Sequence, residues 1–133
     1  MKKITFPPDM DKDCIALCET LNKLPGVETF ESCCGHLMSP YRIWFWCKNF
    51  TSLAILARAF DRRYLPTTIT WQIGVETGDS HPTYGFCLKS DKAYDRQADL
   101  ELDLEAIIHN IEYWKGKEFK QYFKTNNGHY FNL

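Results

Sequence analysis

The chain has 133 residues, 44% hydrophobic and 25% charged, so it can form one globular domain and is too apolar to be disordered. Its formal net charge of −1 excludes the basic excess typical of proteins that wrap duplex DNA. No apolar run is long enough to cross a membrane, and the N-terminal MKKITFPPDMDKD lacks the apolar stretch of a signal peptide. We therefore expect a cytoplasmic protein with no membrane contact, whose six cysteines are reduced.

The first predicted element is a helix over residues 9–24. Asp9 or Asp11 can cap it, and Pro25-Gly26 ends it. One apolar stripe at helical spacing consists of Met10, Cys14, Leu17, Cys18, Leu21 and Leu24. The two cysteines of this stripe are expected to pack as small hydrophobic residues.

Two strands follow the helix. Residues 27–34 read VETFESCC, and residues 41–48 read YRIWFWCK, which is rich in aromatic and β-branched side chains. A loop over residues 35–40 joins them. Because the two strands are close in sequence, we expect them to form a hairpin.

A second helix is predicted over residues 51–64, capped by Thr51 or Ser52. Its expected apolar stripe consists of Leu53, Leu56, Ala57, Phe60 and Tyr64. Alternating side chains then predict strands over residues 67–76 and 83–89, separated by the polar loop TGDSHP. These two strands form a second predicted hairpin.

The last predicted helix begins at about residue 99 or 103 and ends at 115, with Asp99 or Asp103 as its cap. Gly116 is expected to break or bend it, and a further helical stretch can continue to Lys124. We divide the chain into a single domain over residues 1–133, with an N-terminal arm at 1–8 and a C-terminal tail at 125–133.

The predicted fold is α+β, with the element order αββαββα. The four strands are expected to form a mainly antiparallel sheet with the helices on one face. The segment CGHLMSPYRIWFWC in the first half of the chain is loosely similar to TGDSHPTYGFC in the second half. This similarity indicates an internal pseudo-repeat.

The segment ESCCGH, residues 31–36, is the first candidate site. Polar and reactive side chains are concentrated there at a strand end, and Gly35 permits a positive φ or a close backbone approach of a ligand. We predict catalytic roles for Cys34, His36 and Glu31, with the His36 imidazole activating a thiol or acting as acid and base. The predicted ligand contacts in this segment are Ser32, Cys33 and Gly35. The alternative is that the cysteines are core residues and His36 is an ordinary surface histidine.

A metal site is a second hypothesis for the same segment. Paired C-x-x-C motifs are absent, but Cys34 and His36 are two residues apart and can share a face. If the two hairpin loops lie at the same end of the sheet, His81 can join them as a zinc ligand. Without a metal, His81 is a polar residue before a loop proline.

The second strand has an aromatic face. Arg42, Trp44 and Trp46 share one side, and Tyr41, Ile43 and Phe45 share the other. An exposed face of two tryptophans and basic residues suits nucleotide or RNA bases, with the rings for stacking and the cations for phosphates. Such a face suits a homodimer interface equally well. A third alternative is that another part of the chain covers this face.

Several well-known catalytic motifs are absent from the sequence. We find no G-x-x-x-x-G-K-[ST] loop, G-x-G-x-x-G, G-x-S-x-G or H-E-x-x-H. The sequence therefore names no cofactor and no reaction, and it leaves open whether the protein is an enzyme.

The segment ETFESCCGH resembles a motif of small, mostly uncharacterised bacterial and phage proteins, which carry E-S-C-x-G-H after a Leu-Pro-Gly-[IV] turn. That turn is Leu24-Pro25-Gly26-Val27 here. More distantly, S-C-x-G is similar to the S-S-C-S-G-R segment of the wybutosine-synthesis tRNA methyltransferase family. This resemblance implies an α+β domain that acts on modified tRNA guanosine with S-adenosylmethionine. It covers about ten of the 133 residues, and His36 stands where that family has arginine.

Overall fold

The computed structural model describes residues 10–77 and 84–125 of the chain. The elements are α1 (Lys12–Asn22), β1 (Val27–Cys33), β2 (Arg42–Cys47), α2 (Phe50–Ala59), β3 (Trp71–Thr77), β4 (Tyr84–Ser90) and α3 (Gln97–Thr125), with a short 3₁₀ turn over Gly35–Leu37. The α+β class and the order αββαββα are therefore confirmed. The predicted N-terminal arm, most of the TGDSHP loop and the end of the C-terminal tail lie outside the described residues.

The four strands form one antiparallel sheet in the order β1-β2-β4-β3. Both predicted hairpins are present, and they meet through their second strands, β2 and β4. Each half of the chain contributes a helix followed by a hairpin, and the predicted pseudo-repeat of these halves stays a prediction. No helix in the described part of the chain is long and apolar enough to cross a membrane.

One face of the sheet, the inner face, packs under the helices. Ile43 and Phe45 of β2 and Leu88 of β4 are completely buried there. They belong to one core cluster with the apolar stripes of all three helices, including Cys14, Leu17 and Cys18 of α1. The division of the β2 side chains between two faces is as predicted, whereas the sequence left open which face is buried. Arg42, Trp44 and Trp46 lie on the opposite, outer face with partial exposure.

The second helix differs from its prediction at both ends. Its cap is Asn49, whose side chain accepts a hydrogen bond from the Ser52 backbone N–H at 3.1 Å, so the predicted Thr51 or Ser52 cap was wrong. The Ser52 hydroxyl instead donates to the Pro25 carbonyl. The helix ends at Ala59, not at residue 64, because the Asp61 side chain accepts the backbone N–H of Arg63 and stabilises a turn.

The second hairpin begins later than predicted. Residues 68 and 69 form a bend and β3 starts at Trp71, because the side chains of Thr67 and Thr68 form hydrogen bonds outside the sheet. The Thr67 hydroxyl donates to the Ile69 carbonyl, and Thr68 bonds to Asp103 of α3.

The third helix is continuous from Gln97 to Thr125, so neither a break at Gly116 nor a cap at Asp99 or Asp103 is correct. Asp99 lies in the first turn and pairs with Arg96. Asp103 lies inside the helix and is completely buried. The helix packs one buried apolar stripe against the core, consisting of Leu100, Leu104, Ile107 and Ile111. The free energy gained by this burial exceeds the cost of one glycine in a helix, about 1 kcal/mol.

Candidate metal centre

The turn after β1 has a left-handed backbone at three successive residues. Gly35 has φ +82°, His36 has φ +51° and Leu37 has φ +62°. Only glycine adopts this region without cost, so His36 and Leu37 are strained. The Gly35 carbonyl accepts the backbone N–H of Met38 at 2.9 Å and that of Ser39 at 3.0 Å, which closes the turn. Strained backbone of this kind concentrates at functional sites.

Asp11 links this turn to the first helix. It occupies the N-cap position of α1, but its side chain makes no capping hydrogen bond. Its Oδ2 instead accepts the backbone N–H of Cys34 at 3.2 Å and lies 3.5 Å from Nε2 of His36. The sequence predicts Asp11 only as a helix cap, since no local signal connects it to a histidine 25 positions later.

The two cysteines of the segment point to different surroundings, as strand alternation predicts. Cys33 is half-buried on the outer face, and its Sγ accepts the backbone N–H of Gly35 at 3.4 Å. Cys34 is only 8% exposed, and its Sγ lies 3.6 Å from Nδ1 of His36. Both cysteines therefore lie beside the turn that carries the histidine.

Cys34, His36 and Asp11 stand in the order of a thiol–imidazole–carboxylate triad. Burial raises the pKa of the Cys34 thiol above its ordinary value, and a hydrogen bond with the backbone of His36 opposes that shift. A reactive cysteine needs a stable thiolate and access for its substrate. The surroundings of Cys34 favour neither, and its contact suits it better to orienting the His36 ring.

Three groups of different chemistry converge at this turn. A carboxylate oxygen of Asp11, Sγ of Cys33 and a ring nitrogen of His36 all lie within 4.8 Å of one another. Asp11 and Cys33 are partly buried, whereas the His36 side chain is 62% exposed. Carboxylate, thiolate and imidazole are the three side-chain ligands of zinc in proteins. The group is therefore open to solvent on one side and has a metal-binding composition.

The other predicted members of the segment are placed differently. Ser32 faces inward opposite Ile43, on the side of the sheet that packs under the helices. Glu31 lies on the outer face opposite Trp44 and is not part of the donor group. His81 lies outside the described residues, so its predicted share in the site is not tested.

The predicted aromatic platform is partly covered by its own side chains. A β-bulge between Thr29 and Glu31 places Phe30 on the outer face, where its ring stacks on Trp46 at 4.4 Å between centroids. A Cβ on Gly85 would lie 3.1 Å from the Phe30 ring, so this glycine makes room for the stack. One ring face of Trp46 is thus already occupied by the protein.

No protein-family model, curated protein or solved structure matches this chain. The nucleotide or RNA ligand and the homodimer that the sequence suggested therefore stay predictions.

Proposed function

We propose that this protein binds a transition metal of the zinc class through Asp11, Cys33 and His36. The observation that carries the proposal is the convergence of these three donors within 4.8 Å. Zinc–sulfur and zinc–nitrogen bonds of about 2.3 and 2.0 Å place ligand atoms of a tetrahedral site roughly 3.3–3.8 Å apart. The distance of 3.5 Å between Asp11 Oδ2 and His36 Nε2 already falls in this range. Binding therefore requires the other donor distances to contract by at most about 1.3 Å.

The surroundings of the donors support the proposal. Metal-bound histidines usually have a second partner on the other ring nitrogen, which fixes the ring and the tautomer. Nδ1 of His36 faces Cys34 Sγ while Nε2 faces Asp11. The left-handed turn holds the ring in this position at the cost of backbone strain. A purely structural loop gains nothing evident from placing a histidine at that point.

Three protein ligands leave one position of a tetrahedral ion for water or a substrate. This is the coordination pattern of catalytic zinc sites, whereas structural sites use four protein ligands. A metal in such a position polarises a bound group or lowers the pKa of a bound water. The solvent-exposed side of His36 gives a ligand access to that position. The function that we propose is therefore metal-dependent binding, with hydrolysis as the reaction that the pattern favours.

Metal titration tests the proposal. Metal-free protein, prepared without a histidine tag, is expected to bind about one equivalent of Zn²⁺, and its Co²⁺ form should show thiolate-to-cobalt charge-transfer absorption. Cys33→Ala should lower the zinc affinity at least about 100-fold, because it removes a ligand. Cys47→Ala, a half-buried cysteine at the other end of the hairpin, is the matched control and should leave the affinity unchanged.

Cys34→Ala separates the two adjacent cysteines. It should keep the thiolate-to-cobalt absorption, since Cys34 only contacts the imidazole, while Cys33→Ala should lose it. The reverse pattern would show that Cys34 is the ligand and overturn our assignment. Binding of less than about a tenth of an equivalent of metal after loading with Zn²⁺ would end the metal proposal altogether.

A further inference from the structure

The outer face carries two cations in line with a proposed metal ligand. Cys33 pairs with Arg42, Arg42 with Lys89, and Lys89 with Gln72, so these four residues form one row across the sheet. Directly paired residues point to the same face, and their Cβ atoms lie about 4.5–5.5 Å apart. The arginine side chain therefore starts directly beside Cys33, and the lysine side chain starts one strand farther away, about 10 Å from Cys33.

Arg42 has an N–H group with no acceptor. Its guanidinium lies over the Trp44 ring, 5.4 Å from the centroid, which restrains it. Its Nε and the indole Nε1 of Trp44 are both buried and have no hydrogen-bond partner among the described residues. A buried donor without an acceptor costs on the order of 1–3 kcal/mol. Two such donors on one face require the same kind of partner, an oxygen acceptor.

The charges around this row favour an anion. Among the described residues, no carboxylate forms an ion pair with Arg42. Lys89 reaches Glu76 at 4.0 Å, and both side chains are partly exposed, so this pair is worth little and leaves the ammonium available. Glu31 lies in the next row of the outer face and Glu76 lies one row farther on, so the row itself contains no acid.

The neighbouring row also leaves space above the sheet. Gly74 pairs with Cys87, and no atom lies within 4 Å of the position that a Cβ on Gly74 would occupy. A small ligand can therefore lie over β3 and β4 beside Lys89. Stacking of a base on Trp46 is less favoured, because Phe30 already covers one side of that ring.

We propose that Arg42 and Lys89 bind the phosphate group of a phosphate ester that occupies the open position of the metal. This inference rests on the proposed function, because the metal and the two cations would hold one ligand. A phosphate carries up to two negative charges, so it matches two cations and a divalent ion better than a carboxylate does. The Arg42 guanidinium presents the planar fork that binds phosphate oxygens in pairs.

Calorimetric titration of zinc-loaded and metal-free protein tests this inference, with methyl phosphate, acetate and adenosine as probes. Methyl phosphate should bind both forms, more tightly with zinc, and Arg42→Gln should weaken its affinity at least about tenfold. The matched control is Arg62→Gln, which removes an exposed arginine of the helical layer and should leave the affinity within about twofold. The zinc affinity of Arg42→Gln should equal that of the wild type.

The outcomes distinguish this inference from the metal proposal. Equal affinity of the wild type and Arg42→Gln for methyl phosphate would overturn it, as would no binding at about 10 mM in either form. Acetate or adenosine binding as tightly as methyl phosphate would also overturn it, in favour of a carboxylate or a stacked base. Protein that binds methyl phosphate through Arg42 but takes up no zinc contradicts the metal proposal and the placement of the ester on a metal, and it supports the phosphate contact of Arg42. Protein that binds zinc but not methyl phosphate contradicts this inference alone.

Discussion

Replacing Asp103 by alanine is expected to lower the free energy of unfolding by about 3 kcal/mol, because three donors lose their acceptor at once. Its carboxylate is completely buried in α3 and accepts from the Thr68 backbone N–H at 2.8 Å and the Thr68 hydroxyl at 2.7 Å. The Tyr94 hydroxyl donates to it at 2.6 Å and accepts from Trp71 Nε1 at 2.8 Å. Burial and the bond to Asp103 raise the pKa of Tyr94, so its hydroxyl stays protonated and able to donate.

Chemical unfolding measures this loss, and the thermal midpoint should fall by roughly 10 °C. Glu105→Ala, two positions along the same helix and exposed, is the matched control and should change stability by no more than about 0.5 kcal/mol. Tyr94→Phe combined with Asp103→Ala should cost less than the two single losses added together, because both changes break one hydrogen bond. An Asp103→Ala protein as stable as the control would show that this network contributes nothing.

Asp103 also illustrates why part of the fold could not be predicted from the sequence. Local patterns predicted every helix and strand in the right order, since apolar stripes and alternation are local signals. An aspartate ahead of an apolar stripe looks like a helix cap, but its actual partner is Thr68, 35 residues earlier. The same contact delays β3 to Trp71, so one long-range network accounts for two of the misplaced boundaries.

The candidate site was predicted only in part for the same reason. Cys33, Cys34 and His36 are adjacent in sequence, and a strand end followed by Gly35 was enough to single them out. Asp11 joins them only because α1 packs against β1, so that the start of the helix meets the end of the strand. Alternation correctly separated the two thiols, but it could not show that the turn brings His36 back towards Cys33.

The aromatic residues of the outer face show a similar limit. The alternation of β2 identified the side that carries Trp44 and Trp46. The bulge that adds Phe30 to this side breaks the alternation of β1, so the pattern alone could not reveal it. The predicted stacking platform is largely covered by its own side chains, because Phe30 stacks on Trp46 and Arg42 lies over Trp44. The cation of Arg42 lies at the edge of this surface.

Replacing Gly35 by alanine is expected to cost about 2 kcal/mol of stability and to weaken zinc binding at least about tenfold. An L-residue at φ +82° is strained, and its Cβ would lie 3.1 Å from the Pro40 carbonyl oxygen. The turn then has to shift, and His36 follows Gly35 directly. Unfolding in urea measures the first effect, and zinc titration with and without Gly35→Ala measures the second.

Gly116→Ala is the matched control for this change. Gly116 lies within α3 with no atom within 4 Å of an added Cβ, so alanine should raise stability by about 0.5–1 kcal/mol and leave zinc binding unchanged. If Gly35→Ala is as stable as the wild type, the left-handed turn does not form in solution. If it loses stability but keeps its zinc affinity, the strained turn serves the fold and does not position His36. Loss of both properties is the result expected of a turn whose strain holds a metal ligand in place.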